Sequence, residues 1–570
     1  MAGPQDEANR PSTEVFDISH LSADKRLGNL LKSVLTEVKL YAEDQIKHIK
    51  KLTSIGISLS VEKNISRLLE KIVDEARDLS FADAGTLYIL DKEKDHLRFE
   101  ILQNDSLKTR MGGTSGVPVS LPNVPLNIDG KPNYSNVSSY CALTGKTVNI
   151  PDVYVAEGFD FTGPRNYDKS TGYRSKSMLV IPLENHENEI IGVLQLLNAQ
   201  DPDTLEVIQF SPEYVDLVAS LASQAAVALS NTQLIQDLKQ LFYSFIKSIA
   251  TAIDEKSPYT GGHIKRVVDL TILIAEKINQ TDKGIMGDIS FNKDEIEELR
   301  LAAWMHDVGK ITTPEYVVDK STKLEAIFDR IHHIQTRFDL IAQSMENDYL
   351  RRKLEILQNG RQNDQDFKNL KKEYEERLKI LKNELVFIRS CNNPGEFMDD
   401  DKIKRLNAIA AKMFVHENEA HNYLTDNEVK NLCIRKGSLT GEERKFIENH
   451  ATMTAKILKQ LPFKGKLANV PVYASGHHEK IDGSGYPNGL SDSELSLQAR
   501  IMAIADIFEA LTARDRPYKK PMTLSQALKI MKHMADNKHI DADIFDLFQK
   551  NKLYLEYARK EMSPEQVDCE

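Results

Sequence analysis

The sequence predicts a multi-domain chain: an α+β module built on an antiparallel sheet with flanking helices, then an all-helical module interrupted by a helical-hairpin insertion. Three observations carry this expectation. At 570 residues the chain is too long for one hydrophobic core. Residues 60 to about 230 alternate helical periodicity with paired strand-like runs. Beyond residue 258 only helical periodicity persists, and an ordered set of histidines and aspartates is spaced along it.

Composition narrows the class. Hydrophobic residues make up 41% and charged residues 28%, as in soluble globular proteins. With 74 basic against 85 acidic residues the net charge is -11, which disfavours a nucleic acid polymer or an anionic membrane as main partner. A small phosphate ligand remains open, because it needs only local cations or metals. Cys141, Cys391, Cys433 and Cys569 lack CxxC spacing and read as reduced thiols of a cytoplasmic protein. The opening MAGPQDEANRPSTEVFD has neither the basic nor the apolar region of a signal peptide, and no apolar run approaches the ~20 residues of a membrane helix. The expectation is a cytoplasmic chain without membrane insertion.

Residues 1–20 are polar and read as a loose tail. Residues 21–59 carry apolar residues at helical spacing (Leu30, Leu31, Leu35, Val38, Ile46, Ile49), predicting an amphipathic helix. Over 60–213, ISRLLEKIVDEARDL is helical, AGTLYILD with HLRFEIL predicts one hairpin, and SMLVIPLEN with EIIGVLQLLNAQ predicts another. Residues 214–257 form one uninterrupted periodic run through Leu217, Leu221, Leu234, Leu238, Leu241, Phe245 and Ile249. That run predicts a linker helix, serving either a parallel dimer seam or packing within the chain.

The chemistry lies in YTGGHIKRV, LAAWMHDVGK, FIENHATMTAKIL, ASGHHEKIDGSGYPNGL and RIMAIADIFEALTARDRPYK. They supply His263, His306, Asp307, His450, His477, His478 and Asp506 as candidate metal ligands. Any one of the 15 histidines is more often a hydrogen-bonded residue than a ligand, so the joint pattern carries the argument. Imidazole and carboxylate donors without thiolate suit iron or manganese, and two ions about 3.5–4 Å apart suit phosphodiester cleavage. Lys310, one turn past Asp307, can balance phosphoryl charge. Gly483, Gly485, Tyr486 and Pro487 predict a loop that brings backbone close to an anionic ligand.

Two resemblances follow. TGYRSKSMLVIPL, IIGVLQLLN and the helix FSPEYVDLVASLASQAAVAL resemble the GAF family over about 170 residues. This implies a sensory domain that takes a small unknown ligand or serves dimerisation. Some GAF domains bind cyclic nucleotides through an Asn-Lys pair and a later Phe followed by Asp-Glu. Asn198 and Phe210 stand at those places, but Ala199 replaces the lysine and no Asp-Glu follows.

The later strings, above all HHEKIDGSGYPNGL, resemble the HD-GYP family of metal-dependent phosphohydrolases, here behind a GAF domain. The resemblance implies hydrolysis of cyclic di-GMP to pGpG or GMP at a centre of two or three metals, iron or manganese, with His306-Asp307 as the HD pair and Asp307 bridging. It places Arg516 and Lys519 of RPYK on a second phosphate or a guanine edge. Tyr259 stands where some members carry a carboxylate for a third metal. Implied partners are a second copy through the linker helix, and a diguanylate cyclase or other signalling protein. Rival readings are a phosphohydrolase of another cyclic or linear nucleotide, and a non-catalytic nucleotide-binding adaptor.

The HD-GYP module is expected over 258–550, with residues 551–570 as a tail. Lys310 and His450 lie 140 positions apart, far beyond the family spacing, so residues 321–436 are expected as an insertion. Stripes through Leu324, Ile327, Ile331, Ile334, Phe338 and through Leu370, Leu378, Leu381, Ile388, with a turn at Asn359-Gly360, predict an antiparallel coiled-coil hairpin. Its length would be roughly 50 Å at ~1.5 Å per residue. It could serve dimer contact, partner docking, active-site cover or spacing. His416 and His421, five apart, do not share a helix face and are not expected as ligands.

Overall fold

The structure is a computed structural model and describes residues 25–569 apart from 92, 257–260, 283, 285, 359–363, 417, 418 and 515–520. The expected tail 1–20, Tyr259, the Asn359-Gly360 turn, Arg516 and Lys519 therefore lie outside the described residues. The chain divides into two compact units, residues 1–241 and 242–570.

The first unit opens on helix α1 (Lys25–Val61), then α2 (Ile65–Ser80), whose N-cap Asn64 accepts the Arg67 amide. Strands β1 (Ala82–Leu90) and β2 (His96–Asn104) form the first expected hairpin, followed by β3 (Thr109–Gly112) and the short strands β4 (Val124–Pro125), β5 (Asn127–Ile128) and β6 (Lys131–Pro132). After α3 (Val137–Thr144), β7 (Val148–Ile150) and α4 (Thr162–Thr171), the second hairpin follows as β8 (Met178–Glu184) and β9 (Ile190–Gln200), then β10 (Val207–Ile208). The sheet order is β3-β2-β1-β9-β8-β7, every pairing antiparallel.

Two faces of this sheet are covered differently. One packs Leu87, Leu194 and Leu196 against Leu68, Ile72 and Val73 of α2 and against Leu221 and Ala225 of α5 (Pro212–Asp254). The other packs Tyr88, Val180 and Val193 against Val137 and Cys141 of α3 and Phe161 beside α4. The helical runs predicted around this sheet bury less than their length: in α1 Ile55 and Leu59 are buried, but Leu30, Leu31, Val38 and Ile49 are exposed. In α5 Leu234, Leu238, Leu241 and Phe245 are likewise exposed, 57–66%.

The second unit is helical. Helices α6 (His263–Asn279) and α7 (Lys293–Met305) are followed by a 3-10 turn (Val308–Thr312) and α8 (Glu315–Val318). The insertion comes next, then α13 (Gly441–Leu458), α14 (Val470–Ser475), α15 (Leu497–Thr512), α16 (Leu524–Asp536), α17 (Ala542–Lys550) and α18 (Leu553–Glu561). Their shared core includes Val267, Leu299, Ala302, Ile501, Ala505 and Phe508. Three expectations are corrected here. Residues 551–570 are not a tail: Leu553, Tyr554, Tyr557 and Ala558 are buried in that core, which the aromatic spacing of LYLEYA explains. The first insertion helix starts at Ile331, not Leu324, and Ile327 is 93% exposed on the preceding turns. The insertion is also more than a hairpin. Its helices α9 (Ile331–Gln358) and α10 (Asp364–Cys391), 28 residues each and so about 42 Å at ~1.5 Å per residue, are accompanied by α11 (Asp400–Ala410), a hairpin of β11 (Met413–His416) and β12 (Glu419–Asn422), and α12 (Asp426–Leu432). These share their own core of Phe338, Ile341, Ile388, Leu406, Tyr423 and Leu424. His416 and His421 lie on the exposed β-hairpin.

Candidate metal centre

The seven expected ligands come from five places in the chain and converge. His263 is the first residue of α6; His306 and Asp307 sit where α7 gives way to the 3-10 turn; His450 lies inside α13; His477 and His478 follow α14; Asp506 lies inside α15. Ligand atoms of His263, His306 and Asp307 all lie within 4.8 Å of one another, and so do those of His450, His477 and His478. Asp307 stands between the two groups. Its Oδ2 is 3.3 Å from His306 Nε2 and 3.6 Å from His263 Nε2, while its Oδ1 is 3.4 Å from His450 Nε2 and 4.0 Å from His477 Nε2. Asp506 Oδ1 is 3.4 Å from His263 Nε2.

The helices are held at this spacing by a close approach of backbone. A Cβ on Gly309 would lie 1.9 Å from the His450 carbonyl oxygen, so only glycine lets the turn after Asp307 rest on α13. Thr454, one turn past His450, stitches the two together: its hydroxyl donates to His306 O at 3.0 Å and accepts from Gly309 N at 3.0 Å.

The histidine tautomers are set by what their second nitrogens touch. Nδ1 of His306, His450 and His477 donates to the carbonyls of Ala303, Ile447 and Ala474, three residues back in each case. His263 differs, since its Nδ1 meets Glu509 Oε2 at 2.5 Å. Glu509 is fully buried one turn past Asp506, and its other oxygen accepts Arg266 Nε at 2.7 Å. Each arrangement puts a lone pair on Nε2, toward the shared space. Glu509, Gly309 and Thr454 were absent from the sequence-derived set. The i,i+3 spacing from Asp506 to Glu509 was the available signal.

Electrostatics divide the metal-free centre's histidines into two groups. Burial, followed by neighbouring imidazoles, holds His477 well below the usual histidine range, and burial lowers His450 and takes His478 down to about 4. Burial opposes charge on Asp307 and Asp506 too, but Lys310 and His306 around the first, and His263 beside the second, keep both carboxyls well below their ordinary values. Two histidines go the other way: burial opposes their charge, but Glu509 raises His263 well above the usual histidine range and Asp307 raises His306. The metal-free centre thus offers neutral His450, His477 and His478 beside ionised carboxylates, and a cation would displace the protons of His263 and His306.

These residues fit a divalent cation. His306 Nε2, Asp307 Oδ1, His450 Nε2 and His477 Nε2 are buried with no hydrogen-bond partner among the described residues. Buried polar atoms almost always find a partner, so four converging lone pairs call for a Lewis acid.

Around the centre, Lys310 Nζ meets Asp307 Oδ2 at 2.5 Å. Tyr486 covers His478, with ring centroids 4.9 Å apart. Its loop is held by Glu479, whose buried carboxylate accepts the amides of Asn488 and Leu490 at 2.7 and 3.0 Å. Gly483 and Pro487 belong to the same loop, and a Cβ on Gly485 would lie 2.5 Å from Glu479 Cα, so this glycine is a packing requirement. In the first unit, Asn198 and Phe210 serve structure: Asn198 bonds Lys176 N and Arg174 O, and Phe210 is fully buried in the core.

With this geometry in view, the class is clear. A GAF domain model matches residues 64–229, and HD domain models match residues 260–386 and 426–544, so the chain carries a GAF domain followed by an HD domain. The two HD matches leave residues 387–425 between them, inside the stretch expected as an insertion. The 3'3'-cGAMP-specific phosphodiesterases 1 and 3 of Vibrio cholerae serotype O1 are 38% identical over 120 residues (21% of this chain, 27% of the relative) and 42% identical over 137 residues (23% and 28%). A cyclic di-GMP phosphodiesterase of Pseudomonas aeruginosa is 37% identical over 119 residues (21% and 28%). The chain thus spans under a third of the length of each of these relatives. Among the described residues no helix is long and apolar enough to cross a membrane.

Proposed function

We propose that the chain is a metal-dependent phosphodiesterase that hydrolyses cyclic di-GMP to pGpG or GMP, with the GAF domain as its regulatory input. The observation that carries this reading is the pair of three-residue groups meeting at Asp307 with four orphaned lone pairs between them. His263, His306 and Asp506 would hold one ion, His450, His477 and His478 a second, and Asp307 would bridge them. Iron and manganese suit these donors. When bound, such cations stabilise phosphoryl charge and make a water acidic enough to attack phosphorus at neutral pH.

The protein's own groups do the rest. Lys310 sits at the rim of the centre, about one-third exposed, where its ammonium can turn from Asp307 to a phosphoryl oxygen. Tyr486 supplies an aromatic wall, and the loop of Gly483, Gly485 and Pro487 shapes the substrate side. Arg516 and Lys519 are proposed for the second phosphate or a guanine edge.

A mixed-base cyclic dinucleotide is the second reading, favoured by the names of the Vibrio cholerae relatives. One experiment separates the readings. Full-length protein loaded anaerobically with iron or manganese is given cyclic di-GMP and 3',3'-cGAMP in competition. Formation of pGpG or GMP, lost in His306→Ala and Asp307→Ala, is expected. Preferential cGAMP cleavage moves the assignment to the second reading, and no hydrolysis of either leaves a nucleotide-binding adaptor.

A further inference from the structure

The GAF unit contains a cavity of about 430 Å³ between the sheet and α3 and α4, within the range of about 300–1,000 Å³ usual for small-molecule sites. Nothing about the centre described above concerns it. Its lining has no lysine, arginine or histidine; the one charged residue on it is Asp160, an exposed carboxylate at the rim. Arg77 is the nearby buried cation, and it is consumed by the carbonyls of Ala82 and Asp83, by Gln103 and by Asp105.

Three amides on the lining are oriented in the same sense. Asn104 Oδ1 accepts the Leu107 amide at 2.8 Å, Asn136 Oδ1 caps α3 by accepting the Ser139 amide at 3.0 Å, and Gln103 Oε1 accepts the Arg77 guanidinium at 3.2 Å. All three partners are donors only, so each amide can sit only one way round. Its carbonyl is committed to the protein and its NH2 is left over. Gln195 lies beside them, but its partners, the hydroxyls of Tyr88 and Ser138 at 3.0 and 3.1 Å, can accept as well as donate and do not fix its amide. None of these three NH2 groups has a hydrogen-bond partner among the described residues, although Gln103 and Asn104 are each only 2% exposed. The three nitrogens are not among the sealed, unpartnered polar atoms, so they open onto the cavity as donors for what fills it.

Aromatic side chains supply the rest of the wall: Tyr88 and Phe99 pack with centroids 4.5 Å apart, and Phe161 and Tyr167 line the α4 side. The lining therefore offers flat apolar surface and hydrogen-bond donors without positive charge. An anion entering it would find no cationic side chain, only amide dipoles and the N-termini of α3 and α4, whose amides already donate to Asn136 and Asp160, and it would meet the Asp160 carboxylate. We propose that this cavity binds an uncharged, planar heterocycle rich in carbonyl and ring-nitrogen acceptors, and that it excludes phosphate-bearing nucleotides.

The test uses the full-length chain with lumichrome as a fluorescent uncharged probe, caffeine as a competitor with acceptors only, and cyclic GMP as a charged one. Lumichrome should bind at one site per chain, caffeine should displace it, and cyclic GMP should not. Asn104→Asp and Asn136→Asp keep the accepted backbone hydrogen bond while replacing the NH2 donor by an acceptor, so each should weaken lumichrome by about tenfold or more with folding intact by circular dichroism. Asp160→Asn keeps its accepted Thr162 amide and should leave lumichrome affinity within about twofold of the parent. The proposal is overturned if neither uncharged probe binds, if cyclic GMP displaces lumichrome as well as caffeine does, or if both aspartate variants bind lumichrome as the parent does.

Discussion

At the scale of single residues, the candidate ligand set, which the structure brings together, was legible because imidazoles and carboxylates in HD and HHE strings are rare as joint patterns. What surrounds them was not. Glu509 touches His263, and its one trace in the sequence is the i,i+3 spacing from Asp506, which gains meaning only when that partner is seen. A neutral amide in its place removes the charge that raises His263 basicity, so Glu509→Gln should lower metal affinity about 10–100-fold, read by elemental analysis after dialysis. Burial also gives the centre a pH signature in metal-free protein. His478 titrates at about 4 in the folded chain against an ordinary 6.5, so its neutral form belongs to the fold. Stability from this group is full above pH 6.5 and declines as pH falls toward 4; His450 and His477 are shifted in the same direction, whereas Glu509 and Asp307 shift His263 and His306 upward, so the His478 share is read from its own variant. Melting curves of chelator-treated protein should show that loss, and His478→Gln should reduce its slope.

At the scale of elements, long helices were legible from their period, and the hairpins from short, near-continuous apolar runs such as MLVIPL and IIGVLQLL, bounded by polar turns and covered on both faces of the sheet. The insertion was legible as an interruption and not as a fold. Its short elements, α11, β11, β12 and α12, each fall below the length at which periodicity speaks, and only their common core around Phe338 and Tyr423 makes them one body. At its base Lys320, buried, binds Glu443 of α13 through two contacts of 2.8 Å. Phe338→Ala should cost that body about 3–5 kcal/mol. Hydrogen exchange should show the loosening over 331–432, and unchanged protection of α6 and α15 would mark the insertion as a separately cooperative body.

At the scale of the whole molecule, two domains in series were evident from length and from the change of pattern near residue 258. The purpose of α5 was less so, because a stripe of Leu234, Leu238, Leu241 and Phe245 fits a dimer seam and an internal contact equally well. In the structure all four are exposed, which supports the seam as our proposal. Leu238→Glu with Leu241→Glu should convert a dimer to a monomer by light scattering, while a parent that is already monomeric would remove the seam.

The end of α5 carries a further meaning. Lys256, just past its last turn, donates to the carbonyls of Lys310, Ile311 and Thr313 at 3.2, 2.8 and 2.7 Å, and Asp254 receives the Ile264 amide at 3.2 Å. One rod therefore grips the strand of chain leaving Asp307 and the first turn beginning at His263. A displacement of this end of the helix would reach the metal cradle as a change in the separation of its own walls.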